Sequence, residues 1–375
     1  MHNLWIIKYT LRAMLLCGVA LAGCENMIQE IDIAPSNFPP KLAVSATIDT
    51  DSGTFNLTFT EARSLGSYKK WRSENSTIIR KGTVSLYEDD NPTPIYRIVD
   101  GGNGQGFDMS LRSYESGFSV EKKGLVLKAG SAYRLTLEVE GYPTATSTVV
   151  MPDDPAVEDI ALDTGKKIHK RYPYFIGLSG GGSYGGDMDF YPLNIRLKDN
   201  SRDRDYYMFR LESTTVIPND NYVYTETPHI ATANRALIQD NPDMEANPLS
   251  IENFEDVYLF ERMLVSDMSF ANATGTIDLL LQEWLVKASA PLPCDTASQQ
   301  YEQRTSMDIC ISHLSAITYE HHRSLALQRN GVDFFTEPVS IPSNIENGFG
   351  CFAAINTIRK TIHESYTCFF DGLYY

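Results

Sequence analysis

Positive charge is the first shortage of this chain. Only 32 Lys and Arg stand against 48 Asp and Glu, a net charge of −16. That balance argues against nucleic acid, whose phosphates draw on a surplus of cations. It also disfavours electrostatic attachment to anionic lipid. Signatures of chemistry are scarce as well. No Gly-x-Ser-x-Gly elbow presents a nucleophilic serine. The glycine tract at 177–186 is followed by no Gly-Lys-Ser/Thr and no predicted helix, so it reads as a mobile loop, and Gly102-x-Gly104-x-Gly106 fails as a dinucleotide fingerprint for the same reason. A zinc peptidase needs His-Glu-x-x-His. Glu320-His321-His322 with His313 instead turns adjacent histidines to different helix faces, which reads as packing and solvent contact. No acidic pair is nominated for glycoside cleavage, where separation in space is what matters. The sequence therefore assigns no catalytic residue, metal or cofactor.

Cysteine is sparse and unpaired in sequence. Of six, none sits in a Cys-x-x-Cys pair of the kind that holds zinc. Cys17 lies in an apolar run and Cys24 directly follows Leu21-Ala22-Gly23, which leaves Cys294, Cys310, Cys351 and Cys368. An even number in an exported chain predicts two disulfides. Three connectivities exist, and the sequential one, Cys294 with Cys310 and Cys351 with Cys368, is preferred because short loops close most easily.

What is present begins at the N-terminus. Lys8 and Arg12 precede the apolar run at 13–21, and the small residues Ala22 and Gly23 follow, the order of a secretory signal peptide. The run is about half of the roughly 20 residues that span a bilayer, so a permanent transmembrane helix is disfavoured. Leu21-Ala22-Gly23-Cys24 resembles a bacterial lipobox, in which the Cys thiol receives a diacylglyceryl group, the chain is cut before the Cys, and the new N-terminus is acylated. More than one acyl chain makes a stable anchor. Residues 1–23 are thus read as a lipoprotein signal peptide and 24–40, with Pro35, Pro39 and Pro40, as a lipidated tether.

The rest reads as mostly β. Val44, Ala46 and Ile48 alternate with polar residues, Asp51-Ser52-Gly53 follows, and Phe55, Leu57 and Phe59 alternate again, a hairpin signal. Further runs at 83–87, 95–99, 125–127, 133–139 and 144–150 make residues 41–152 an immunoglobulin-like antiparallel β-sandwich. Pro152-Asp153-Asp154-Pro155 breaks the pattern. Residues 156–375 are expected to form a larger antiparallel β domain, sandwich or barrel-like, with strands at 157–162, 191–197, 206–212, 257–264 and 276–281. One notable helix is predicted from His313 to about Gln328, ended by Asn330-Gly331.

Aromatic residues are plentiful, with 21 Tyr and 17 Phe. Tyr offers rigid contact area with a polar handle, suited to oligosaccharide or peptide capture, although it also fills β-cores. Tyr172, Tyr174, Tyr222 and Tyr224, which neighbour loops, are the candidate ligand-binding residues.

One stretch resembles a known family. Glu337-Pro338-Val339 followed by Ser343-Asn344-Ile345-x-Asn347-Gly348-x-Gly350-x-Phe352 is similar to the signature of the domain of unknown function 4249 family of Gram-negative outer-membrane lipoproteins. The opening at 40–44, the run at 82–86, Asp205-Tyr206-Tyr207 and Cys310 ahead of the helix resemble it too. Cys351 departs from the pattern, where an apolar residue is more usual. The resemblance implies an outer-membrane lipoprotein often associated with TonB-dependent nutrient uptake systems, with no established catalytic residue. A non-catalytic capture or accessory subunit is therefore expected, with the cell surface slightly preferred over the periplasmic face. A structural or adhesive surface protein is the alternative, and a hydrolase ranks third. Physically, Asn347-Gly348 and Gly350 predict a tight turn feeding a strand, with Asn344 satisfying backbone groups.

Overall fold

Alternation of apolar and polar residues dictates the architecture, because side chains on a strand point to opposite faces in turn. A computed structural model describes residues 41–62, 79–108, 117–175, 184–198, 204–217, 222–233, 258–267, 274–286, 300–330 and 340–370. The proposed signal peptide, Cys24, the tether and Cys294 lie outside the described residues, as does most of the glycine tract at 177–186. The described residues belong to one compact unit.

The chain opens with β1 (Lys41–Asp49) and β2 (Thr54–Ala62), then β3 (Ile79–Arg80), β4 (Gly82–Glu88) and β5 (Tyr96–Val99). β6 (Phe107–Asp108), β7 (Phe118–Lys122), β8 (Ala132–Val139) and β9 (Ala145–Val150) follow. Past the prolines come β10 (Val157–Leu162), β11 (Ile168–Phe175), β12 (Tyr184–Lys198), β13 (Tyr206–Ile217) and β14 (Tyr222–Glu226). Next are β15 (Ile230–Thr232), β16 (Tyr258–Phe260), β17 (Met263–Ser266), β18 (Thr274–Gln282) and the short helix α1 (Glu283–Val286). β19 (Gln300–Leu314), helix α2 (Ala316–Asn330) and β20 (Gly348–Phe370) complete the fold.

One sheet runs through the whole unit, in the order β14-β13-β19-β20-β1-β2-β7, with β17 also on β13. Two smaller sheets cover it. The four-stranded sheet β5-β4-β8-β9 encloses a first core with β1 and β2, built from Leu42, Val44, Ile48, Phe55, Phe59, Leu86 and Leu135. The sheet β10-β12-β18-β15-β16, with β11 on β12, encloses a second, where Leu193, Ile195 and Leu279 meet Phe209, Leu211, Ile309 and Ile311. Each such side chain contributes roughly 1.5–3 kcal/mol by leaving water. Among the described residues the protein is a sandwich-like, mostly β structure whose sheets do not close into a barrel.

β20 ties the two cores together. Its early residues Phe352 and Ala354 complete the first, while Ile358 and Ile362 pack on the second. It lies parallel to β1, with Leu42 opposite Gly348, and antiparallel to β19. The stretch from 156 onward is therefore not self-contained, because it supplies a strand to the sandwich of 41–152.

Three expectations differ from the structure. The helix begins at Ala316, not His313, because β19 continues through Leu314 and its apolar residues Met307, Ile309 and Ile311 alternate into the core. Ser315 then caps α2, its Oγ accepting from the Thr318 N–H at 3.4 Å. The run at 257–264 is split into β16 and β17, which join different sheets. Residues 125–127 form no strand, although the Leu125 N–H donates to the Gly53 carbonyl at 2.9 Å.

The disulfide expectation is corrected. Cys310 and Cys351 are buried free thiols. Cys351 and Cys368 lie on the same strand, β20, roughly 55 Å apart along it at ~3.3 Å per residue, whereas a bridge needs Cα atoms within about 7 Å. Short separation in sequence favours closure only where the chain turns back, and here it does not. Cys310, expected to pair with Cys294, sits in the middle of β19 as a thiol.

Candidate functional site

Three polar assemblies stand out, and each rests on strand register. The first is a rib of charge on the face of the long sheet opposite the second core. Arg210, Cys310 and Arg359 lie side by side on β13, β19 and β20, and Glu212, Asp308 and Thr361 form the next row on that face. Phe209 and Leu211, their neighbours in sequence, point the other way into the core. Arg359 forks between carboxylates, with Nη2 2.6 Å from Asp51 and Nη1 2.6 Å from Glu212 and 3.2 Å from Asp308. Arg210 Nε donates to Glu212 at 2.9 Å and its Nη2 to Asp51 at 3.5 Å. Thr361 Oγ1 donates to Asp308 at 2.7 Å.

Burial and pairing compete in the rib. Burial alone raises the Glu212 carboxyl, but hydrogen bonds from Arg359 and Arg210 outweigh it and hold Glu212 below its ordinary range. Asp49, where burial wins, is raised. Burial pushes the Cys310 thiol up to about 12, so it stays protonated. Ligand atoms of Asp51, Glu212 and Cys310 lie within 4.8 Å of one another, the spacing of a metal centre. The donor set does not fit one: two guanidiniums already occupy these carboxylates, and the thiol is neutral. The rib is a structural ion-pair network joining the turn after β1 to β13, β19 and β20.

The second assembly is the described part of the family-like signature, from Ser343 to Phe352, which forms a clasp at the start of β20, while Glu337-Pro338-Val339 lie outside the described residues. Asn344 substitutes for a strand partner: its Oδ1 accepts from the Phe352 N–H and its Nδ2 donates to the Phe352 carbonyl, both at 2.8 Å. Asn347, in the left-handed region at φ 57°, donates from Nδ2 to the Thr144 carbonyl at 3.1 Å. Gly350 is required twice over. Its φ is 107°, and a Cβ there would stand 1.9 Å from the Val44 carbonyl oxygen. The signature thus locks β20 onto β1 and β9, a structural role.

A third set fastens the connection at 151–155. Asn356 donates from Nδ2 to the Pro152 carbonyl and to Asp154, both at 2.9 Å. The His313 Nδ1 lies 2.9 Å from the Asp153 carbonyl, and its Nε2 lies 3.4 Å from Asp205. Burial lowers the basicity of His313, but the bonds to Asp205 and Asp153 outweigh it and raise its pKa. His321 Nδ1 reaches the Pro342 carbonyl at 2.9 Å, whereas His322 is pushed down to about 4, mainly by burial, then by Arg262 and His321. His313 and His321 each anchor a segment through these contacts.

The candidate tyrosines divide between two sheets. Tyr172 and Tyr174 belong to β11, with Tyr172 opposite Gly186. Tyr222 and Tyr224 belong to β14, opposite Ile217 and Thr215 of β13. Tyr224 is 48% exposed and Val223 61%. The two pairs thus belong to different sheets, and β14 ends the long sheet among the described strands. The rib was missed in sequence because its members are scattered over the whole chain. The only local signal was a period-2 repeat of polar residues, Arg210-x-Glu212, Asp308-x-Cys310 and Arg359-x-Thr361, which reads as a solvated face.

No helix among the described residues is long and apolar enough to cross a membrane, which says nothing of strands. No curated protein sequence matches the chain. A family profile does: residues 28–361, the greater part of the chain and all of the clasp, match the family described as Domain of unknown function (DUF4249), and the chain belongs to that family.

Proposed function

We propose that the protein is a lipid-anchored outer-membrane protein, held through Cys24 and displayed at the cell surface, that acts as a non-catalytic capture or docking subunit of a TonB-dependent nutrient uptake system. The polar assemblies described above are used up in fastening strands together. What carries the reading is the strand β14, which ends the long sheet among the described strands with Val223 and Tyr224 exposed. Aromatic and β-branched side chains on an accessible edge suit recognition of an extended peptide or an oligosaccharide. The signal-like segment at 1–23 and the tether at 24–40 supply the means of attachment.

The test is a mild-detergent pull-down of tagged protein from outer membranes with mass spectrometry of the eluate, beside proteolysis of intact cells. A co-purifying TonB-dependent transporter and cleavage on intact cells are expected. Full protection and no transporter would overturn the reading. Cys24→Ser is expected to move the protein from the membrane fraction to the soluble fraction.

A further inference from the structure

The two ends of the eight-stranded sheet are built differently. At one end β7 carries Glu121 and Lys122, and Glu121 pairs with Lys123 at 3.1 Å. Charged residues of this kind blunt an edge, because a strand added there must desolvate them. At the other end β14 reads Tyr222-Val223-Tyr224-Thr225-Glu226, with no Lys, Pro or Gly and one charge, at its last position. Its ladder to β13 is regular from Ser213–Glu226 to Ile217–Tyr222, so no bulge twists the edge away. Among the described strands β14 is paired on one side only. Val223 and Tyr224, adjacent in sequence, face opposite sides of the sheet, and both are exposed.

Position strengthens the contrast. The tether joins at Lys41, where β1 lies against the start of β20. The rows that lead to β14 pass through Thr215, Thr305 and Ser365. Ser365 lies roughly 55 Å further along β20 than Gly348 at ~3.3 Å per residue. The edge is thus carried well away from the point of attachment.

We infer that β14 takes up an extended, non-acidic segment of a partner protein as an additional strand, paired through its backbone. This rests on the reading of the protein as a docking subunit and specifies its docking surface. A strand of five residues covers far less than the roughly 1,200 Å² of a stable interface, so it does not hold a second folded copy. A copy of this chain also brings its own charge of −16. A short extended segment needs only the ladder and two alternating side-chain contacts, one on each face. The acidic balance of the chain selects a neutral or basic one.

The probe is a capped heptapeptide alternating valine with threonine and lysine, added to the full mature chain and followed by backbone amide exchange. Slowed exchange confined to 222–226 is expected, with β7 unchanged. The same peptide N-methylated at alternate residues keeps its side chains but loses ladder donors. It should bind at least about tenfold more weakly. A peptide with glutamate in place of lysine, and the variants Val223→Lys and Tyr224→Lys, should weaken binding in the same direction. The inference is overturned by unchanged exchange at β14, by equal protection of β7, by an N-methylated peptide that binds as well, or by concentration-dependent dimers that bury β14. Transporter co-purification that survives both variants would remove the edge from the account and leave the docking-subunit reading standing.

Discussion

The clasp around Asn344 and the rib around Arg359 fasten the same strand, β20, by opposite physics. In the clasp the principal contacts at β20, Asn344 to Phe352, Asn347 to Thr144 and a glycine against the Val44 carbonyl, involve neutral groups. The rib is ionic, with Arg210 and Arg359 shared among Asp51, Glu212 and Asp308. Neutral amide bonds respond weakly to salt and pH, whereas partly exposed ion pairs respond to both. A strand held in both ways keeps its register at one end when conditions loosen the other. Each fastening also encloses a thiol, Cys351 in the strand segment that follows Gly350 and Cys310 between the two arginines.

The comparison breaks most severely at Gly350. Gly350→Ala forces a Cβ into the Val44 carbonyl and an alanine into a left-handed backbone. A loss of about 4 kcal/mol or more is expected, read as a lower denaturant midpoint or as failure to fold. Arg359→Met leaves Asp51, Glu212 and Asp308 short of a partner. The expected cost is about 2–3 kcal/mol, below that of a fully buried broken pair because Arg359 keeps 32% of its side chain exposed.

The pH response sharpens the same contrast. Glu212 is depressed below its ordinary 4.5, so its pairing stabilises the fold above that value. The stabilisation is lost as pH falls through the depressed folded value. Wild-type protein should show this acid limb and a loss of stability in high salt, and Arg359→Met should show less of both in urea titrations from pH 7 to 3.

Asn344→Ala removes two hydrogen bonds to Phe352 and should cost about 1–2 kcal/mol, equally at low and high salt. A salt-dependent cost would mean that the clasp is not the neutral lock described here. The smallest effect concerns the thiols. Burial pushes both Cys310 and Cys351 up to about 12, so neither should react with a thiol reagent in the native protein. Loosening the clasp by Asn344→Ala should speed labelling of Cys351 more than that of Cys310.

Much of the fold was legible where the pattern is local. The alternation at 44–48 and 55–59 with Asp51-Ser52-Gly53 between them predicts the β1–β2 hairpin, and 157–162 coincides with β10. The turn into a strand at Asn347-Gly348 and Gly350 was readable, since few residues other than asparagine and glycine adopt the positive φ found at Asn347 and Gly350. The length of β20 was not readable. Its later part, Arg359-Lys360-Thr361, is polar on consecutive positions because both faces there meet polar partners or solvent. His313 was assigned to the helix because Leu314 and Ile317 fit a spacing of three, while the strand ladder to Tyr207 and Asn356 overrides that spacing. The candidate site was legible only in part: Tyr224 lies on an exposed edge, whereas nothing local marks β14 as the end of a sheet.

By itself the sequence determined the strands whose faces alternate locally, such as β1, β2 and β8, the turns that demand glycine or asparagine, and that the described body is mostly β, because these depend on side-chain alternation and backbone sterics within a few residues. Tertiary structure alone decided that β20 would lie parallel to β1 and that Asp51 would meet Arg359, 308 residues away. It also left Cys310 and Cys351 as thiols and β14 at the end of the long sheet among the described strands. Those outcomes follow from how strands of similar composition choose partners and register, which is set by the fit of two whole cores and not by any short stretch of chain.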